Sequence, residues 1–113
     1  VIGIDIVVIS RIENMIDKFG KKAKDKFLNE EEQKFFLTPS SVAGAYAAKE
    51  AFSKAIGTGI GKECNFKDII ILKNSKNKPY FSEKTIKKFN LKNADLSISH
   101  DGGFAIAAVI ISR

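Results

Sequence analysis

Residues 41–61 read SVAGAYAAKEAFSKAIGTGIG, and the fold turns on this stretch. Ser41 is a suitable helix cap, the alanine-rich run after it favours helix, and three glycines at alternate positions from Gly57 stop it. One long helix is expected from Ser41 to about Ile56. Ala45, Ala48, Phe52, Ala55 and Ile56, joined by Ala51, form its apolar face. Glu50 and Lys54 leave from roughly the opposite side, one turn apart, and Ala43 and Ala47 share that side. Charges beside such small side chains leave room for something to lie against the helix. The glycines are not a phosphate-binding loop, because such loops lead into a helix N-terminus and this one follows the electronegative C-terminal end. They predict a left-handed cap and a sharp turn, with close backbone approach to a ligand as a further use.

Upstream, VIGIDIVVI alternates and is rich in branched residues, which predicts a strand over Val1–Val8. Ile2, Ile4, Ile6 and Val8 fall on one face; Val1, Gly3, Asp5 and Val7 fall on the other. Asp5 is the oddity, a carboxylate in the middle of an apolar strand. Ser10 with Glu13 suggests a capping box opening a short helix that Gly20 ends. Ile9, Ile12, Ile16 and Phe19 would face inward, with Arg11, Met15 and Lys18 outward. A further short helix is expected from about Glu30 to Phe36, capped by Asn29 and ended before Pro39. Downstream, FKDIIIL (66–72), PYF (79–81), DLSIS (95–99) and FAIAAVIIS (104–112) read as strands, with SEKTIKKF a helix from Ser82. HDGG joins the last two strands as a hairpin. About five strands and three or four helices make an α+β domain spanning residues 1–113.

Of the 113 residues, 44% are apolar and 28% charged, ordinary for one globular domain. The single cysteine, Cys64, has no partner for an internal disulfide or a shared metal and reads as a packing residue. A reducing compartment, the cytoplasm, is expected. The strongly apolar run Phe104–Ile111 falls far short of the roughly twenty residues a spanning helix needs. VIGIDIVVI lacks the basic segment of a secretory signal. The net charge of +6 invites an anionic partner, whether nucleic acid, membrane surface, phosphorylated ligand or acidic protein, and suits plain solubility equally well. Only Arg11 and Arg113 are arginines, which disfavours base-edge reading of DNA, whereas lysine suits phosphate.

A Glu–Lys pair at i, i+4 is by itself ordinary surface decoration, worth about 0.3–0.5 kcal/mol. Asp5 is harder to dismiss: if buried, it needs a counter-charge or a metal. Together the residues make chemical sense. Magnesium takes hard oxygen ligands, keeps several waters, and is commonly held by one or two carboxylates plus substrate phosphate. Asp5 on a strand and Glu50 on a helix crossing it would meet that need, with Lys54 a turn away against a phosphate oxygen. Spacing alone leaves open whether they meet across the 45 residues between them. His100, the one histidine, opens a glycine turn from which it could donate to a phosphate, although packing is the commoner role for such a residue.

Three segments, GIDIVVISRI (3–12), AYAAKEAFSKAIGTGIG (45–61) and SISHDGGFAIAAVII (97–111), together resemble the bacterial holo-[acyl-carrier-protein] synthases of the 4′-phosphopantetheinyl transferase superfamily. The resemblance covers essentially the whole chain. It implies that family's fold, a small antiparallel sheet packed against a long central helix and shorter helices. It implies Mg-dependent transfer of 4′-phosphopantetheine from coenzyme A to a serine of apo acyl carrier protein, releasing adenosine 3′,5′-bisphosphate and supporting fatty acid biosynthesis. It places the metal on Asp5 and Glu50, catalysis on Glu50 and Lys54, and coenzyme A contacts on Ser53, Lys54, Gly57 and His100. Carrier-protein docking falls to Arg11 and Met15, and the assembly to a homotrimer with sites between subunits. Two positions depart. Where the family often reads G-R-F-A-A-K-E, Ala45 replaces an arginine near the coenzyme A phosphates, so that charge falls to Lys49, Lys54, Lys62 or a neighbouring subunit's lysine. Periodicity puts Ala45 inside, so either the stripe is wider than drawn or the position lies at a rim. Val8 replaces a glutamate in D-I-V-E, leaving the serine proton to Glu50 or, preferably, to a water at the metal, because a ligand carboxylate is a poor free base.

Two readings from other classes compete: a non-catalytic basic module binding nucleic-acid backbone, and a structural oligomer subunit with Asp5 in an interface ion pair. No polar strand face carries interleaved aromatics, which argues against base stacking. Coenzyme A and an acidic carrier protein as partners, with neither nucleic acid nor membrane, fit the charge better.

Overall fold

The computed structural model describes all residues, Val1–Arg113. Strand β1 (Ile2–Val8) runs without a break into α1 (Ile9–Phe19), and Gly20, at φ 60°, turns the chain into α2 (Lys21–Asp25). Ser10 is therefore inside the helix rather than its cap; Val8 holds the cap position with no side-chain bond. The Ile9 N–H donates instead to the Gly103 carbonyl at 2.9 Å, which ties the start of α1 to the hairpin. Only Ile12 of the expected inward stripe is fully buried, and Phe19 is 51% exposed. Helix α3 (Glu30–Gln33) is shorter than expected but is capped by Asn29, with Glu32 completing the reciprocal box.

The long helix α4 (Pro39–Ile56) begins earlier than Ser41. Thr38 caps it: its hydroxyl accepts from the Ser41 N–H at 3.1 Å, and the Ser41 hydroxyl accepts from the Thr38 N–H at 3.0 Å. Pro39, expected to break helix, occupies the first helical position, where its missing N–H costs nothing. Gly57 ends α4 in the left-handed conformation at φ 103°, its N–H donating to Ser53 O at 3.0 Å, so the cap-and-turn expectation holds. A 3₁₀ turn, Phe66–Asp68, replaces the first half of the expected 66–72 strand, because Asn65 accepts from the Lys67 N–H and Asp68 accepts from the Asn65 N–H. β2 (Ile71–Lys73) and β3 (Pro79–Phe81) pair as a small hairpin, followed by α5 (Glu83–Lys88) with Ser82 as its cap.

β4 (Asn93–Asp101) and β5 (Phe104–Ser112) form a long hairpin, longer in β4 than DLSIS suggests. Gly102 and Gly103 make the tight turn, at φ 58° and 86°, the positive values a two-residue hairpin loop requires. The main sheet is antiparallel, in the order β1-β5-β4, with Asp5 opposite Ala107 and Ala107 opposite Ile98. Its inner face lies on α4, giving the α+β architecture expected. Gly3 is needed at the crossing: a Cβ there would sit 2.0 Å from Ala51 O and 2.8 Å from Ala55 N. Helix α4 is thus covered nearly all round. Ala43 and Ala47 are fully buried with Ala45, Ala48, Ala51 and Ala55, so the space expected beside the first two is filled by the protein itself.

Candidate active site

From Val42 to Ala55, only Tyr46, Glu50 and Lys54 are not buried. They stand at i, i+4 and i+8, one stripe along an otherwise enclosed helix. β1 crosses beside this stripe, two residues beyond Gly3, and brings Asp5 to it. Lys54 Nζ lies 2.9 Å from Asp5 Oδ1 and donates also to the Ile4 carbonyl at 3.2 Å. Asp5 is 15% exposed and Lys54 52%, so the pair lies at the surface with its carboxylate sheltered. The half-buried Glu50 carboxyl is held above the usual carboxylate range, first by burial and then by the charge of Asp5, with Lys54 opposing. Two acidic groups from distant parts of the chain therefore repel each other across one small site.

That donor set suits a divalent cation. Asp5 and Glu50 lie near enough for the charge of one to raise the other, and no group of three or more His, Cys, Asp or Glu gathers there, which leaves coordination positions for water and substrate oxygen, as magnesium prefers. A cation there would favour ionised Glu50 against the burial and the Asp5 charge that raise it. Arg11 of α1 reaches the same neighbourhood, donating from Nη2 to the Tyr46 hydroxyl at 3.3 Å. Tyr46 is the member that sequence reasoning missed; its place one turn before Glu50 on the 46-50-54 spacing was the available signal.

Other expected residues lie elsewhere. Lys49 must be corrected: it is 0% exposed, and its ammonium donates to Phe27 O at 2.6 Å, Glu32 Oε1 at 2.8 Å and Phe66 O at 2.9 Å. With three acceptors and no open side, it has no access to a phosphate. Ser53 is likewise buried, its hydroxyl donating to Glu50 O at 2.7 Å within the helix, so it offers no free hydroxyl to a ligand. Met15 is half-buried against the core rather than outward, because it shares the inward side of α1 with Ile12 and Ile16. Ala45 is fully buried, as the periodicity indicates, so the position is not a rim. Gly57 is exposed, and Lys62 is exposed on the turn closed by the Gly61 N–H to Cys64 O bond. His100 is exposed near Ser40 at the other end of α4. From Ser40 to Lys54 the helix advances about 21 Å at 1.5 Å per residue, so one chain does not bring His100 to the Asp5–Glu50–Lys54 cluster.

The model of the 4′-phosphopantetheinyl transferase superfamily matches residues 1–109. The chain is 65% identical over 112 residues to the holo-[acyl-carrier-protein] synthase of Nautilia profundicola, covering 99% of each. The crystal structure of the Helicobacter pylori holo-[acyl-carrier-protein] synthase in complex with coenzyme A is similar at a TM-score of 0.90 and 46% identity, covering 99% of this chain and 100% of that one. The Bacillus anthracis enzyme, in complex with CoA (3′,5′-ADP), gives a TM-score of 0.83 at 42% identity, covering 99% and 96%. The chain therefore belongs to the 4′-phosphopantetheinyl transferase superfamily, among the holo-[acyl-carrier-protein] synthases.

Proposed function

We propose that the chain transfers 4′-phosphopantetheine from coenzyme A to a serine of apo acyl carrier protein at the Asp5–Glu50–Lys54 cluster, with magnesium, in the service of fatty acid biosynthesis. The observation that carries this reading is the meeting of Asp5 with Lys54, one turn from a Glu50 whose carboxyl resists ionisation. The serine oxygen forms a bond to the β-phosphorus of coenzyme A as its proton passes to a water at the site. The bond from that phosphorus to the bridging oxygen breaks, and adenosine 3′,5′-bisphosphate leaves. A divalent cation held by Asp5 and Glu50 would neutralise pyrophosphate charge as the serine attacks. Lys54, more than half exposed, is free to exchange Asp5 for a phosphate oxygen and to stabilise, or protonate, the departing phosphate. Glu50 is fixed on a rigid helix turn beside it, where its carboxyl can orient the attacking hydroxyl.

The remaining residues take their roles from the same reaction. Gly57 and Lys62, both exposed beyond the end of α4, are assigned to coenzyme A. Arg11 is assigned to the carrier protein, whose acidity suits the net charge of +6. A homotrimer is supported by the outer sheet face, where Ile2, Ile4, Ile6 and Ile110 are 57–68% exposed. It would also let His100 of one copy serve the cluster of another. No helix is long and apolar enough to cross a membrane, and we assign the protein, as one domain, to the cytoplasm. The test is direct: incubate with coenzyme A, Mg²⁺ and apo carrier protein, and weigh the carrier by mass spectrometry. Added phosphopantetheine on its serine, dependent on divalent metal, is expected; an unmodified carrier would overturn the reading.

A further inference from the structure

Tyr46 is the one member of the open α4 stripe that the proposed reaction leaves without a task. Its ring is gripped from two sides, edge-on by Phe27 with centroids 5.2 Å apart, and by Phe66 at 5.3 Å. The backbone carbonyls of those same two residues accept from the buried Lys49 ammonium. Lys49 is in turn fixed by Glu32, whose other oxygen accepts from the Ile71 N–H at 2.8 Å. A buried ion pair thus sets the two residues that set the ring. What the ring presents outward is its hydroxyl, which accepts from Arg11, with the guanidinium carbon 5.7 Å from the ring centroid. Arg11 is exposed and takes part in none of the chain's ion pairs. Left to itself, so long a side chain samples many rotamers, and ordering it when a partner docks opposes binding.

We infer that Tyr46 is a positioning residue: its ring and hydroxyl hold Arg11 in advance at the rim of the Asp5–Glu50–Lys54 cluster, oriented to meet an acidic carrier protein. This rests on the proposed function for the identity of the partner; the Tyr46–Arg11 link itself stands on geometry. Tyr46→Phe keeps the ring and its clamp, so folding is retained, and removes the hydroxyl that accepts from Arg11 and also bonds the Glu50 carboxylate. With active wild-type protein as reference, it raises the carrier-protein KM about 2–5-fold, the effect of one modest hydrogen bond, with no matching rise in the coenzyme A KM; a change in kcat reports the separate Glu50 contact. Arg11→Ala raises the carrier KM further, and adding Tyr46→Phe to it raises the carrier KM no more, because the hydroxyl acts on docking through Arg11. An unchanged carrier KM in Tyr46→Phe, an effect on kcat alone, or effects of the two variants that multiply would each overturn the inference.

A second readout needs no turnover. The chain has two arginines, Arg11 and Arg113, so side-chain ¹⁵N NMR resolves the Arg11 guanidinium once Arg113→Lys has assigned it. Tyr46→Phe should speed guanidinium proton exchange and rotation at Arg11; unchanged exchange would refute the link. Should wild-type protein fail to modify the carrier, the function falls while the NMR result still judges the link.

Discussion

Lys49 and Lys54 leave α4 five residues apart and each meets a carboxylate, yet the two ion pairs are of different kinds. Lys49–Glu32 is 0% exposed on both sides, and its donors and acceptors are spent on three carbonyl or carboxylate oxygens and on the Asn29 and Ile71 N–H groups. No buried side-chain polar atom in the molecule lacks a partner. Lys54–Asp5 is 52% and 15% exposed, with Glu50 beside it carrying charge it would rather shed. A buried pair whose partners are all internal is closed to substrate and works as a strut. A sheltered carboxylate with a mobile cation and a second, unreconciled carboxylate can change partners, and chemistry needs that freedom.

The contrast can be broken first at the open pair. Asp5→Asn and Glu50→Gln should each lower kcat/KM for transfer by about a thousandfold, the scale of losing metal or transition-state charge stabilisation. Circular dichroism should stay native. Near-normal turnover in both would end the assignment. At the closed pair the effect moves from activity to stability. Lys49→Met leaves Glu32 charged and unpaired in the core and should cost about 3–5 kcal/mol in urea denaturation. Lys54→Met should change stability by no more than about 0.5 kcal/mol while still impairing transfer. Equal stability losses at the two lysines would erase the distinction.

A smaller effect sharpens the picture at Glu50. Burial and Asp5 hold its folded-state carboxyl above the usual carboxylate range, which is taken as the unfolded value. The folded protein then binds that proton more tightly than the unfolded chain does. Ionised Glu50 therefore costs stability at neutral pH, and the cost fades as pH falls through the folded value. Glu50→Gln should raise the unfolding midpoint at neutral pH, with the gain shrinking to nothing by about pH 4, where carboxyls of this type protonate. A gain that grew toward acid would contradict the sign. Smallest of all is the effect at Cys64, a buried thiol pushed up to about 11 mainly by burial. It should resist thiol reagents in the native state and react once the chain is unfolded in urea; rapid native-state labelling would contradict its packing role.

Local patterns carried much of this in the sequence. The alternation of VIGIDIVVI, the alanine run of α4 and the glycine pair of the hairpin each specify their own element, and Asp5 stood out because a lone carboxylate conflicts with its strand. What could not be read depends on partners far along the chain. Lys49 and Lys54 look alike beside Glu50, and only the arrival of Glu32, Phe27 and Phe66 around Lys49 distinguishes strut from site. Pro39 reads as a break in the sequence because its use as a first helical residue depends on Thr38 capping before it. Ala43 and Ala47 suggested open space because small side chains serve equally for a ligand or for a close-packed sheet. His100 shares the Gly-rich turn of its motif, but its distance from Lys54 is a property of the helix between them.

Whether Asp5 and Glu50 share one divalent cation is tested most directly by titrating Mn²⁺ into the protein with coenzyme A present and following the free-ion signal by electron paramagnetic resonance. Binding should be saturable in the wild type, lost or greatly weakened in both Asp5→Asn and Glu50→Gln, and kept in Lys49→Arg. Mn²⁺ binding that survives unchanged in both carboxylate variants would contradict a shared site.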